Sequence, residues 1–265
     1  MGTNHQFTAK ELQRMKQGLP PWESMSFACG GWLQFYMFGV AKALQTCQQD
    51  KGVRYYGCSA GALTAVGLAV GGEFDDAIKF CKEYCMPKAY SDISGLFKLA
   101  EYVTKCIETT IFPLYDSLPP GVLNVAITRL PFFKGERVST FKNKEELLAA
   151  LLCSSAAFPF APIVNHEGKW YIDGGLSDFQ PVENDETITV SPFYFSDCDI
   201  KPSRYIPLWW SFLPPHSADT IDWLYNLGFV DCVNYMKARG MNIPDEVLNQ
   251  EQRVNHPYNR KNQVW

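Results

Sequence analysis

Apolar residues along the chain fall into two rhythms, short solid runs and longer stretches with helical spacing, and the two alternate. Thr8 and Glu11 form a capping-box pattern that opens a short helix, ended near Gly18 ahead of Pro20 and Pro21. "ESMSFACGG" is a solid run entering a glycine turn and reads as a buried strand. "FYMFGVAKALQTCQQ" (35–49) has helical spacing with polar residues at its end. "GVRYYG" predicts a second strand, and "AGALTAVGLAVGG" a small-residue helix closed by paired glycines. Residues 73–118 read as helical and irregular, a pattern suited to covering a site. Downstream, the spacing predicts a strand over 121–130 and a helix from Lys142 to Leu152 that begins near Asn143. It then predicts strands over "KWYIDGG" and "TITVSPF" and an amphipathic helix over 218–239.

Strands alternating with helices imply an α/β fold, a mostly parallel central sheet covered on both faces in three layers, α/β/α. No internal repeat or linker interrupts the chain. The expected organisation is a helix and lead-in over 1–24, one domain over 25–240, and a polar tail over 241–265 that is loose from about Arg253.

Composition narrows the function. At 46% hydrophobic and 20% charged residues, the chain can bury a large core. A net charge of -4 without a long basic run argues against a nucleic-acid partner. The longest apolar run, 147–164, is broken by Ser154, Ser155, Pro159 and Pro162. A spanning helix needs about 20 continuous apolar residues, so a soluble or surface-bound protein is expected. The polar N-terminus has no apolar leader, and Gln6 stands where a myristoylation signal needs Ser or Thr. The nine cysteines therefore read as free thiols in a reducing, cytoplasmic setting, most of them in the core. Cys81 and Cys85 lie four apart, but no second pair with metal spacing joins them, so neither a metal nor a cofactor is expected.

The candidate chemistry begins at Gly57-Cys58-Ser59-Ala60-Gly61, between a predicted strand and a predicted helix. Gly-x-Ser-x-Gly alone is a weak pattern, but this context is that of a nucleophile elbow, where a sharp turn exposes the serine hydroxyl. The flanking Gly57 and Gly61 allow close approach, and the helix that follows turns its positive end to the site. A serine needs a base. His5 and His256 lie near the chain ends, His216 follows two prolines, and His166 in "NHEGK" reads as a surface turn. The alternative is Asp173, which ends a strand ahead of Gly174 and Gly175. Strand ends of a parallel sheet converge on one crevice. Gly30 and Gly31, at the end of the first strand, are candidate backbone donors for an oxyanion.

With these pieces in this order, the chain resembles the patatin-like phospholipases, most nearly the branch containing adiponutrin and adipose triglyceride lipase. "SFACGGWLQFYMFGVAKAL" resembles that branch's oxyanion segment, "GCSAGALTA" its nucleophile elbow and "YIDGGLSDFQPV" its Asp-Gly-Gly segment. "LCSSAAFPFAPI", "TITVSPF" and "WLYNLGFVDCVNYMKARG" are similar to further segments, so the likeness spans about residues 25–240. The resemblance implies a Ser–Asp dyad without histidine, with Ser59 as nucleophile, Asp173 as base and Gly30 and Gly31 in the oxyanion hole. In one respect the chain departs from the family. Where the family's glycine segment reads Gly-x-Gly-x-x-Gly, this chain has Cys29, Gly31 and Gln34, and Gln34 is expected to be a handicap.

The implied activity is that of a lipid acyl hydrolase, of triacylglycerol lipase or phospholipase A type. It would act through an acyl-enzyme on a lipid ester at a membrane or lipid droplet surface. The alternatives are a weakly active or inactive lipid-binding member of the fold, a transacylase, and a Ser-His-Asp esterase. The last needs a histidine after the acid, and only His216 and His256 qualify by order. "PLWWSFLPPHS" (207–217) reads as a strand or loop packing on the core; against that, strict alternation would bury only one tryptophan and leave the other for a lipid surface.

Overall fold

The computed structural model describes residues 6–247, so His5, His256 and residues 248–265 of the predicted tail lie outside the described residues. The lead-in carries α1 (Ala9–Lys16), whose capping box is complete. Thr8 Oγ1 accepts the Glu11 N–H at 3.2 Å, and the Glu11 carboxylate accepts the Thr8 N–H at 2.7 Å. The first sheet unit is β1 (Ser24–Phe27), α2 (Gln34–Thr46), β2 (Arg54–Cys58) and α3 (Ala60–Val70), the last closed by Gly71 in the left-handed region.

The irregular helical stretch follows as α4 (Phe74–Phe80), a π turn over Cys81–Cys85, α5 (Met86–Ala89) and α6 (Leu99–Thr110). Next come β3 (Leu123–Arg129), β4 (Lys134–Val138) and α7 (Lys144–Ser154), whose Asn143 cap accepts the Glu146 N–H. The chain then forms β5 (Val164–His166), β6 (Lys169–Ile172), β7 (Ile188–Val190) and α8 (Ala218–Ala238).

Four strands run parallel in the order β7-β1-β2-β3, and β1 and β2 are solid buried runs, as strands covered on both faces must be. Helices α2 and α8 pack closely together, α3 lies against β1, β2 and β3, and α7 against β3, β5 and β6. The fold is the predicted three-layer α/β/α arrangement with a mostly parallel sheet.

The second half of the sheet departs from the sequence reading. Strand β4 pairs antiparallel with β3 from Val125 to Arg129, where no strand was predicted. His166 is not in a surface turn but closes β5; the turn falls at Glu167 and Gly168, both with positive φ. Residues 207–217, read as a strand or loop, are a loop with a short 3-10 turn at Leu208–Ser211. Just after α8, Met241, Ile243 and Val247 are buried, so this first part of the predicted polar tail packs on the domain.

The direction of β6 matters most, because it runs antiparallel to β3 and hence to β2. β4 occupies one edge of β3 from Val125 to Arg129, so β2 and β6 share the other edge. There β2 ends at Cys58 opposite Ala126, and β6, coming the opposite way, ends at Ile172 opposite Thr128. The two carboxyl ends meet head to head across Ile127. The next residues in the chain are Ser59 and Asp173.

Candidate active site

Ser59 stands at the N-cap of α3 with φ +51° and ψ −125°, a conformation that an L-residue adopts only under constraint, at a cost on the order of 1–3 kcal/mol. Two features hold it there. Its N–H donates to Ser154 Oγ at 2.8 Å, and Ser154 in turn donates to the Ala126 carbonyl at 2.7 Å. Gly61 brings α3 against β1 so closely that a Cβ there would stand 2.1 Å from the Phe27 carbonyl oxygen, and one at Gly57 would stand 2.5 Å from the Gly61 oxygen. The glycines of the elbow answer to space rather than to φ.

Asp173 is pinned by its backbone. Thr128 Oγ1 donates to the Asp173 carbonyl at 2.8 Å and pairs with Ser177 Oγ at 2.7 Å. Gly174 sits where a Cβ would lie 2.1 Å from the Ala126 oxygen. Asp173 as a whole is only 8% exposed. Its Oδ1 accepts the Gly175 N–H at 2.8 Å and the Cys29 thiol at 3.8 Å, while Oδ2 is buried without a hydrogen-bond partner. Burial pushes the Asp173 carboxyl above its ordinary range, and the Ser59 hydroxyl, the Gly175 N–H and the Cys29 thiol pull the other way.

Both residues line one apolar cavity of about 560 Å³, whose far wall is built from the irregular helices through Phe74, Cys81, Val103 and Ile107. Residues 73–118 are its cover. Gly30, Gly31 and Gly175 also line it, whereas Gly57, Gly61 and Gly174 support it from behind. Gly31 has φ +52°, and a Cβ there would meet the Ser211 carbonyl at 2.0 Å. The Ala28 and Cys29 N–H groups are taken by Val190 and Phe179, but those of Gly30 and Gly31 make no hydrogen bond within the described residues. Gln34 is the first residue of α2, with φ −49° and ψ −30°, so no glycine is needed there for backbone reasons. No histidine among the described residues lines the cavity; His166 is in β5, and His216 packs near Trp210.

Residues 25–184 match the patatin-like phospholipase family. The chain belongs to that family. Its patatin-like domain is 32% identical over 189 residues to patatin-like phospholipase domain-containing protein 2 of Rattus norvegicus, covering 68% of this chain and 39% of that protein. It is 31% identical over 193 residues to the 1-acylglycerol-3-phosphate O-acyltransferase PNPLA3 of Homo sapiens, with the same two coverages. Against the human patatin-like phospholipase domain-containing protein 4, identity is 26% over 246 residues, covering 80% of this chain and 96% of that protein. The chain thus spans about two fifths of the length of the first two relatives.

Sequence reasoning missed two supports of the patatin-like site, Ser154 and Thr128. The only signal was that Ser154 lies within "LCSSAAFPFAPI", a segment similar to the family's. It missed a third feature altogether, the approach of Cys29 and Cys58 to Asp173, whose ligand atoms all lie within 4.8 Å of one another.

Proposed function

We propose that this protein is a lipid acyl hydrolase cleaving long-chain carboxylic esters through Ser59 and Asp173. The observation that carries the reading is the head-to-head meeting of β2 and β6. It leaves a strained, buried serine and a buried carboxylate oxygen without a partner on the wall of one apolar cavity. Asp173 takes the Ser59 proton as Oγ attacks the ester carbonyl. The tetrahedral oxyanion accepts hydrogen bonds from the Gly30 and Gly31 N–H groups. Collapse, with Asp173 giving that proton to the leaving oxygen, releases the alcohol and leaves an acyl-Ser59, and the again ionised Asp173 then activates the water that frees the fatty acid. The acyl chain lies among the apolar residues of the cavity.

An acyl-enzyme can also pass its acyl group to an alcohol. One relative carries an acyltransferase name, so transacylation is the second reading, on the same residues. A weakly active lipid-binding role would follow if Cys29 and Gln34 in the cavity wall misdirect the donors.

No helix among the described residues is long and apolar enough to cross a membrane. Access to lipid is assigned instead to the cavity mouth, where Phe158, Leu176, Phe195, Leu208 and Phe212 both line the cavity and are at least half exposed. The protein is thereby read as cytoplasmic and peripheral, docking on a membrane or lipid droplet surface.

Fluorophosphonate labelling followed by peptide mass spectrometry tests the nucleophile. The adduct is expected on the peptide containing Ser59 and is expected to vanish in Ser59→Ala. A folded wild-type protein that stays unlabelled, or is labelled elsewhere, favours the lipid-binding role.

A further inference from the structure

We infer that Cys29, Cys58 and Asp173 form a binding site for a thiophilic divalent cation of the Zn2+ class. Such an ion, seated on the candidate base, would switch the active site off. Cys58 is the last residue of β2 and Cys29 lies just beyond β1. The parallel pairing of Phe27 with Gly57 brings their side chains to the same end of the sheet. The two sulfur atoms and an Asp173 oxygen all lie within 4.8 Å of one another. A tetrahedral zinc ion sits about 2.3 Å from sulfur and about 2.1 Å from oxygen, which sets its ligand atoms roughly 3.5–3.8 Å apart. The Cys29 Sγ to Asp173 Oδ1 separation is already 3.8 Å, and the other separations, none above 4.8 Å, need to shorten by only about 1 Å.

Three further observations fit an ion. The buried Asp173 Oδ2 has no hydrogen-bond partner. Gly175 puts no side chain against the cluster, where a Cβ would crowd Cys29 Sγ and Asp173 Oδ1 at 3.0 Å from each. Cys29, Asp173 and Ser59 all line the cavity, so an ion has a path in and a fourth position facing it. Two sulfurs and one carboxylate select a borderline-soft ion over Mg2+ or Ca2+, which take oxygen ligands. Three protein ligands with an open fourth position match zinc sites that keep one ligand exchangeable. On binding, both thiols lose their protons to solvent.

Ion binding stands on geometry alone; only the inhibition rests on the role given to Ser59 and Asp173. Titrating the reduced 265-residue chain with Cd2+ tests the first, read by the ultraviolet cadmium–thiolate band and by competition with Zn2+. One equivalent is expected to bind with a two-thiolate band. Affinity is expected to fall by at least about tenfold in Cys29→Ala and in Cys58→Ala, and to persist when Cys81 and Cys85 are both alanine. Cys29 is only partly buried, so Cys29→Ala decides the matter even if Cys58→Ala does not fold. Unchanged binding in folded Cys29→Ala, or loss in the Cys81/Cys85 variant, overturns the site. Inhibition is read separately, as protection of Ser59 from the fluorophosphonate by Zn2+ and recovery with a chelator. Binding without protection would overturn the inhibitory role and leave the site standing.

Discussion

Asp173 is under two opposed demands. As the proposed base it must be ionised, yet it is buried, and one of its oxygens has no partner. A buried, incompletely satisfied charge costs stability. An aspartate whose pKa is raised in the folded state stabilises the fold fully below its unfolded pKa, near 3.9, and loses that stabilisation as pH rises through the folded value. Burial raises the Asp173 pKa, so at neutral pH this residue weighs against the fold. Asp173→Asn keeps the shape and removes the charge. Its Tm is expected to exceed that of the wild type at pH 7 to 8, by about 2–4 °C for each kcal/mol relieved. The gap should close as pH falls towards 4. Thermal unfolding across that pH range checks this, and a variant of equal or lower Tm throughout would contradict it.

At the scale of elements, what the sequence made legible was local chemistry. Thr8 with Glu11, the Asn143 cap, the Gly71 ending and the solid runs of β1 and β2 each carry their signal within a few residues. Strand β4 carries none. Its "KGERV" has no buried residue, and only pairing with β3 makes it a strand. Strand β5 is three residues long and owes its existence to β6 in the same way. The antiparallel sense of β6 is likewise invisible, because a strand's apolar pattern does not encode its neighbour's direction. Ser59, Asp173, Gly30 and Gly31 were readable as turn chemistry. Ser154, Thr128 and the Cys29–Cys58 approach were not, since each depends on register between distant strands. The closeness of α2 and α8 was hidden too. It rests on Gly39 and Gly228, where an added Cβ would stand 1.9 Å from the Tyr225 and Tyr36 carbonyl oxygens respectively.

For the whole molecule, the proposed function raises the question of how an apolar cavity would meet a substrate held in lipid. The 207–217 segment divides its two tryptophans, though not by strand alternation. Trp209 is 45% exposed, whereas Trp210 is partly buried against Trp223 and His216. Burying an exposed aromatic side chain in lipid contributes roughly 1–3 kcal/mol. Trp209→Ala is therefore expected to weaken binding to phospholipid vesicles or an ester emulsion by about tenfold or more, with hydrolysis of a small soluble ester spared. Equal loss on both substrates would return Trp209 to a structural role.

The whole reading rests on the claim that Asp173, and no histidine, activates Ser59. Initial rates on a long-chain ester for wild type, Asp173→Asn, His166→Ala and His216→Ala test it most directly, with folding verified for each. Asp173→Asn should lose activity by at least about 10²-fold, the low end for loss of a general base, and both histidine variants should keep most of it. An active Asp173→Asn enzyme, or a folded histidine variant without activity, would contradict the assignment.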